Sequence, residues 1–395
     1  MKQMRWILLL TSLLILPETS SAAVTLGQSC ALTGPTAFLG TEMRQGGKAY
    51  FDHHAADDVV LISKDDGYEP DRCRVNTEAF LDDRVPALFG YVGTPTAAVA
   101  APLANAQKTV FFGAFTGAGF LSDAAANPYS FALRASYDAE VENMMRRLKE
   151  DLGVRKVSLF VQKDAFGLAG VSAALKAVEK VKGLEIVPPM PPIPEEGEDA
   201  SEFWNNVPHY KRNTVSVGGG VRQVRGNGAE AVILVGTSRP CALAINQWHK
   251  MDFKVPMISL SFVGSTALAA RLKDADNVYI SQVVPDPWND ELPIVKQYQE
   301  ALGNDSSKYD FVSLEGYIAA NVMHKAISSV QGAVNSESLK KALESMADYD
   351  LGGLTVSYAQ DDHRGLDAVY LTKIEKSDDN SIKFVYIDKL PKAEK

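Results

Sequence analysis

The chain has 395 residues, with 40 basic against 49 acidic side chains, a formal charge of −9, 46% hydrophobic residues and 23% charged ones. This is the composition of an ordinary globular protein. The acidic excess, with no basic run to contradict it, argues against nucleic acid as a partner.

At the start, Lys2 and Arg5 precede an apolar run, Trp6–Leu16, which Pro17 ends, and Ser20, Ser21 and Ala22 follow. That layout predicts a cleavable secretory signal over residues 1–22, cut after Ala22. The run is too short to span a bilayer comfortably, and no later stretch reaches spanning length without charges. A lipid anchor would need a cysteine at the cleavage point, and Cys30 lies too far along. The roughly 370 residues that remain exceed what one core usually serves, so two lobes are expected.

Short apolar runs then alternate with helical spacing. Val24–Gln28, Val59–Ser63, Ala87–Tyr91 and Thr109–Phe112 are β-branched or aromatic without strict alternation, as strands buried on both faces of a parallel sheet would be. Helices are predicted between them near Glu42–Ala56, Asp71–Asp82 and Thr96–Ala106. A second series follows: a helix capped by Ser136 and carrying Val141, Met144, Met145, Leu148 and Leu152, a strand over Val157–Gln162 and a helix over Gly167–Val181. Strands at Ile186–Pro188, Ala231–Gly236, Val255–Leu260 and Asn277–Val284 and a helix over Cys241–Met251 complete it. The fold class is therefore α/β, with two doubly wound lobes in succession. Beyond them, helices are expected from Phe311 to Val330 and over Leu339–Met346, then hairpins at Leu354–Tyr358, Ala368–Ile374 and Ile382–Ile387. Pro188–Asp199, rich in proline and acid, is expected to be an exposed loop.

Two of these strands end alike. Ala87–Tyr91 runs into Gly93-Thr94-Pro95-Thr96, and Thr109–Phe112 runs into Gly113-Ala114-Phe115-Thr116-Gly117. Hydroxyls and free backbone N–H groups at such turns suit an anion or carboxylate, and ligands of open parallel sheets sit beyond the carboxyl ends of the strands. The plainer alternative is a pair of threonine-capped loops. Three cysteines in an exported chain permit one disulfide. Cys30 and Cys73 follow the first two strands and are its candidates, while Cys241 reads as a buried thiol.

Other patterns carry less. Asp65-Asp66-Gly67 reads as an exposed turn in preference to a cation site. His53 and His54 are adjacent and cannot chelate as an i,i+4 pair would. Gly218-Gly219-Gly220 with Gly226 and Gly228 lacks the Gly-Lys-Ser/Thr ending of a phosphate loop. No Gly-x-Ser-x-Gly elbow, zinc signature or Cys/His pairing is present, so no metal, no cofactor and no enzyme activity are expected.

Thr33-Gly34-Pro35-Thr36-Ala37-Phe38-Leu39-Gly40 resembles the Ser/Thr-Gly-Pro…Gly opening of type I periplasmic solute-binding proteins, in the leucine/isoleucine/valine-binding branch. Asp65–Pro70, Phe89–Thr96, Phe131-Ala132-Leu133-Arg134, Val161–Gly170 and Ser313-Leu314-Glu315-Gly316-Tyr317 are similar to its further landmarks, in order, from about Val24 to Ile374. The resemblance implies two Rossmann-like lobes joined by three crossover segments, with ligand held in the cleft between them. The crossings would fall near Ala135, Pro285 and Asp350, giving lobe 1 as 23–134 plus 286–349 and lobe 2 as 135–285 plus 350–395. It implies a monomeric periplasmic protein that captures a small carboxylate-bearing or amino-acid-like solute and delivers it to the membrane permease of an ABC importer. The alternative is presentation of the solute to a signalling receptor.

By the same resemblance, the carboxylate-holding turn falls on Thr94 and the second turn on Ala114 and Thr116. The closing aromatic falls on Phe166, and Leu39 stands where an aromatic is common. Amino-acid binders of the branch place an acid after the Val255–Leu260 strand, where this chain has Ser261-Phe262-Val263. Arg239, at the mouth of a nearby strand, would shift preference from a zwitterion toward an anion, with Phe262 across the cleft. Trp288 is read as pinning the second crossing.

Overall fold

A computed structural model describes residues 23–195, 198–377 and 381–392; the leader read over 1–22 lies outside them. The first sheet has five parallel strands, β1 (Val24–Cys30), β2 (Val59–Asp65), β3 (Ala87–Phe89), β4 (Val110–Phe112) and β5 (Ser130–Phe131), in the order β2-β1-β3-β4-β5. Helices α1 (Ala37–His54), α2 (Pro70–Asp82) and α3 (Thr94–Ala106) are its crossovers. Successive strand residues point to opposite faces, so Phe89 and Phe112 join one core with Met43 and Phe51 of α1. Leu88 and Phe111 join another with Phe80 of α2 and the alanines of α3.

The second sheet gathers β6 (Lys156–Lys163), β7 (Glu185–Ile186), β8 (His209–Lys211), β9 (Ala231–Val235), β10 (Met257–Ser259) and β11 (Val278–Gln282) in parallel. Its helices are α4 (Tyr137–Leu152), α5 (Ala165–Lys180), α6 (Ser201–Asn206), α7 (Gly218–Gly226), α8 (Ser238–Lys250) and α9 (Ser265–Ala269). The chain then returns through α10 (Pro293–Ala301), α11 (Phe311–Ser329) and α12 (Ser336–Glu344), with α11 lying along α1. After a short pair, β12 (Tyr349–Asp350) with β13 (Thr355–Val356), the hairpin β14 (Tyr370–Lys376) and β15 (Ile382–Tyr386) adds two antiparallel strands beside β11. The expected α/β class and two-lobed, doubly wound architecture are thus present. No helix among the described residues is long and apolar enough to cross a membrane.

Several expectations need correction. The Cys30–Cys73 bridge is not formed: both are buried free thiols, Cys30 in the α1-side core and Cys73 in the α2–α3 core of the first sheet. Cys73 instead places its sulfur against the carbonyl of Thr96 at 3.6 Å. The turn after β2 is not simply exposed, because Asp66 is fully buried and accepts hydrogen bonds from Ser29 Oγ and the Tyr68 N–H. The 218–226 glycine stretch is helical, with Val221 and Val224 facing the core. Helix α1 begins at Ala37, earlier than the spacing indicated, and α3 begins at Thr94 itself.

Candidate functional site

The carboxyl ends of β3 and β4 meet at three hydroxyls. Thr94 opens α3, with Pro95 next, a position where a missing N–H costs nothing. Its Oγ1 lies 2.8 Å from Thr116 Oγ1, and Thr116 Oγ1 lies 3.2 Å from the hydroxyl of Tyr137, the first residue of α4. All three side chains are buried. Tyr137 is hydrogen-bonded to Thr94 as well, so the three hydroxyls pair with one another and none donates to a carbonyl among the described residues. The first-turn amides of α3 have no intrahelical acceptor either. Together they form a neutral, desolvated donor set at the positive end of a 13-residue helix, suited to a carboxylate.

Aromatic rings surround this row. Phe262, in the turn after β10, has its centroid 4.7 Å from Phe166, 5.3 Å from Phe115 and 6.2 Å from Tyr68. Phe166, at the start of α5, lies 5.4 Å from Tyr137. Tyr68 and Phe115 come from the first sheet and Phe262 and Phe166 from the second, so the rings close the space between the lobes. Two glycines allow it. A Cβ on Gly93, which has φ +104°, would run into the Tyr68 ring, and one on Gly117 would run into Tyr137. Tyr68 itself holds φ +63°, uncommon for a bulky side chain and the kind of strain found at functional sites.

Beside the cage sits a buried cation. Arg134 is 2% exposed, with its guanidinium 4.8 Å from the Phe115 ring. Its Nη2 is 3.3 Å from Glu140 Oε1 and its Nη1 is 3.5 Å from Glu315 Oε2; Nη2 also meets Ser261 Oγ. Glu140 accepts the Ser261 N–H and O–H, each at 2.9 Å. Burial pushes the Glu315 carboxyl up to about 7, Arg134 pulling it down and Glu140 adding to the rise. Arg134 Nε and Nη1 keep no hydrogen-bond partner in the structure. The position lacking an acid of its own is therefore served by Glu140 from α4, already neutralised by Arg134.

Of the residues singled out in the sequence, Thr94 and Thr116 meet in the hydroxyl row, and Phe166 and Phe262 meet in the ring cluster that touches it through Tyr137. Ala114 is buried at the end of β4, and its carbonyl accepts the Thr116 N–H. Leu39 is buried against Gly264 of the other lobe. Arg239 is not brought to the cluster: it stands exposed in the first turn of α8, without a side-chain hydrogen bond or ion pair among the described residues. Helix α8 starts at Ser238, so Arg239 turns with the helix surface instead of extending the strand. Trp288 is remote too, 5.5 Å from Phe311 and 5.8 Å from Phe384. Sequence reasoning missed Tyr68, Phe115, Arg134, Tyr137 and Glu140. The motifs holding Tyr68, Phe115 and Arg134 had been noticed, but nothing in a linear motif reports which side chains face a cleft.

No group of three or more His, Cys, Asp or Glu able to hold a metal occurs among the described residues. No curated protein matches the chain. Among solved structures, a possible leucine/isoleucine/valine-binding protein from Rhodopirellula baltica SH 1 is 33% identical, with 93% of this chain and 97% of that one covered and a TM-score of 0.81. A substrate-binding periplasmic protein from Ralstonia solanacearum is 22% identical over 92% of this chain and 100% of its own, at a TM-score of 0.77. A leucine-binding protein from Thermotoga maritima MSB8, 14% identical over 92% of this chain and 98% of its own, shares the fold at a TM-score of 0.76. The profile of the periplasmic binding protein family matches residues 23–380, so this chain is a member of that family, built for binding and not for catalysis.

Proposed function

We propose that the chain is the substrate-binding component of an ABC importer and that its ligand is a small carboxylate with an apolar or aromatic body. Relatives of the same fold are described as ABC transporter substrate-binding proteins, which supports a transporter as partner, and the family and the Ralstonia protein are named periplasmic, which supports a periplasmic location. The observation that carries the ligand class is the set Thr94, Thr116 and Tyr137, three buried neutral hydroxyls at the start of α3 beside a cluster of rings. A carboxylate would draw these hydroxyls out of their mutual bonds and accept from them and from the first-turn α3 amides without a counter-charge. A ligand ammonium has no free acid to meet at this point, because Glu140 is held by Arg134 and Ser261. An unpaired buried ammonium costs several kcal/mol, which weighs against the leucine, isoleucine or valine named for the Rhodopirellula protein.

On this reading lobe 1 comprises 23–134 with 286 to Gly365, whose N–H still bonds the Ala132 carbonyl, and lobe 2 the rest. The third passage is drawn later than Asp350, because Tyr358 and His363 still pack on Phe131 of β5. A thermal-shift screen tests the proposal, since a ligand selective for the folded state raises its melting temperature. Benzoate, phenylacetate and branched-chain 2-oxo acids are expected to raise it, and leucine, valine and simple amides to leave it unchanged. A large shift with leucine or valine would overturn the ligand class.

A further inference from the structure

The lobes are joined across the cleft by direct contacts between their own side chains. The turn between β2 and α2 belongs to the first lobe, and the second lobe grips it with residues from two elements. Arg212 and Asn213 follow β8, and Gln162 is the penultimate residue of β6. Arg212 Nη2 lies 2.8 Å from Glu69 Oε2, and its Nη1 lies 3.4 Å from Asp164 Oδ2 of its own lobe. Asn213 Nδ2 donates to Glu69 Oε1 at 2.6 Å and to the Gly67 carbonyl at 3.1 Å, and its Oδ1 accepts from Thr36 Oγ1 at 3.1 Å. Gln162 Nε2 donates to the Tyr68 hydroxyl at 3.2 Å, while its Oε1 accepts from Tyr210 at 2.9 Å. Both carboxylate oxygens of Glu69, a backbone carbonyl and a tyrosine hydroxyl of one lobe are thus taken by the other.

We propose that Arg212, Asn213 and Gln162 are positioning residues that clasp the 67–69 turn and hold the empty protein closed, with Tyr68 set as a wall of the site before any ligand enters. Three features support a built clasp. Asn213 adopts φ +56°, a left-handed conformation that asparagine tolerates and most residues do not, and this conformation accompanies an amide that bridges two acceptors of the opposite lobe. Arg212 is only 23% exposed at its side chain, though Glu69 is 43% exposed, and it is held on its own lobe by Asp164 as well, which fixes its guanidinium toward the turn. Tyr68, the strained residue of the turn, is anchored from the far side by Gln162, which Tyr210 and Asp164 hold in place. Such a clasp raises the fraction of molecules already competent to bind, and apparent affinity rises with that fraction.

The test uses the protein without ligand, after mild denaturant and dialysis have removed any carried solute, so it stands apart from the ligand class proposed above. Val75 in α2 and Met251 after α8 are exposed apolar positions, one on each lobe. Val75→Cys and Met251→Cys can carry nitroxide labels while the three native cysteines stay buried. Pulsed electron resonance is expected to give one short interlobe distance for the otherwise wild-type chain. Asn213→Gly, which keeps the positive φ free of strain, and Arg212→Gln should each move molecules to a longer distance. The closed-to-open ratio should fall about tenfold or more, as for one lost charge-assisted hydrogen bond. A wild-type chain that is mainly at the long distance, or an unchanged distribution in Asn213→Gly, overturns the proposal.

Discussion

Replacing Arg134 by methionine should destabilise the protein heavily at neutral pH and much less in mild acid. Methionine fills most of the stem's volume and keeps a packing partner for Phe115, so the loss is chiefly electrostatic. Arg134 is the cation between Glu140 and Glu315, all three being buried. Breaking a buried pair by removing one partner typically costs about 3–5 kcal/mol. The lower end applies here, because Glu315 already sits at about 7 and can take a proton, and Glu140 keeps the Ser261 N–H and O–H. At roughly 2–4 °C per kcal/mol for a unit of this size, the melting temperature should drop by about 6–12 °C at pH 7.5. At pH 5.5 Glu315, raised to about 7 by burial, is protonated, and the deficit should shrink by half or more. Melting curves of wild type and variant by circular dichroism at both pH values decide it. A drop under about 2 °C at pH 7.5, or an equal deficit at both pH values, would refute the view that Arg134 offsets two buried acids.

Three further outcomes follow from the same geometry. Thr94→Ala with Thr116→Ala should leave the melting temperature nearly unchanged while weakening any carboxylate found in the screen by about tenfold or more per charge-assisted bond lost, read by calorimetry; equal affinity removes both turns from the site. Phe262→Ala, which deletes the ring touching Phe166, Phe115 and Tyr68, should cost about 3–5 kcal/mol in denaturant unfolding; a cost under 1 kcal/mol would mean the cage is not packed. Stability should rise as pH falls from 8 to 5.5, because burial, first among the causes in each case, lifts Glu315 and Glu42 to about 7 and Asp66 and Asp310 to about 6. These folded values lie above the unfolded ones near 4, so the native state binds more protons in that window and the contribution is lost as pH rises through 6 to 7; a melting temperature that is flat or rising from 5.5 to 8 would contradict this.

The architecture was legible because it rests on burial and chain economy. Apolar runs such as Ala231–Val235 are buried at every residue, and a strand covered on both faces cannot read as alternating. The Ser136 cap was legible too, since its side chain accepts the Ala139 N–H. Weak elements were not: β8 is three residues paired only to β6, and α6 is six residues with little periodicity to display. At the site, the hydroxyl turns could be found because each lies on one strand end. Half of the ring cluster, Phe166 and Phe262, was reached only through the family resemblance, and Tyr68 and Phe115 were not reached, since the four are distant in sequence and meet only when the lobes close. The cysteine expectation failed for the same kind of reason: loops after neighbouring strands are close, yet Cys30, at the end of β1, joins the α1-side core, while Cys73, on α2, joins the core on the other face of the sheet.

The charge argument about the ligand changes its footing in the same way. From the sequence, the case for an anion stood on a missing acid after β10 and a gained arginine at Arg239. In the structure the acid is supplied from another helix, Glu140 against Ser261, and the arginine beside it is Arg134. Arg239 is exposed and takes no part. With Glu315 protonated, which its value of about 7 allows near neutrality, Arg134 and Glu140 balance to zero. With Glu315 ionised, the trio carries one negative charge and opposes an anionic ligand nearby. A carboxylate entering the Thr94–Thr116–Tyr137 row should therefore favour proton uptake at Glu315. Binding of benzoate or any other acid from the screen should release more heat in a buffer of low ionisation enthalpy than in one of high ionisation enthalpy, by an amount that reports the proton taken up. The dependence should be greatest near pH 7 to 8 and vanish below pH 5.5, and its absence at pH 7.5 would separate the trio electrostatically from the site.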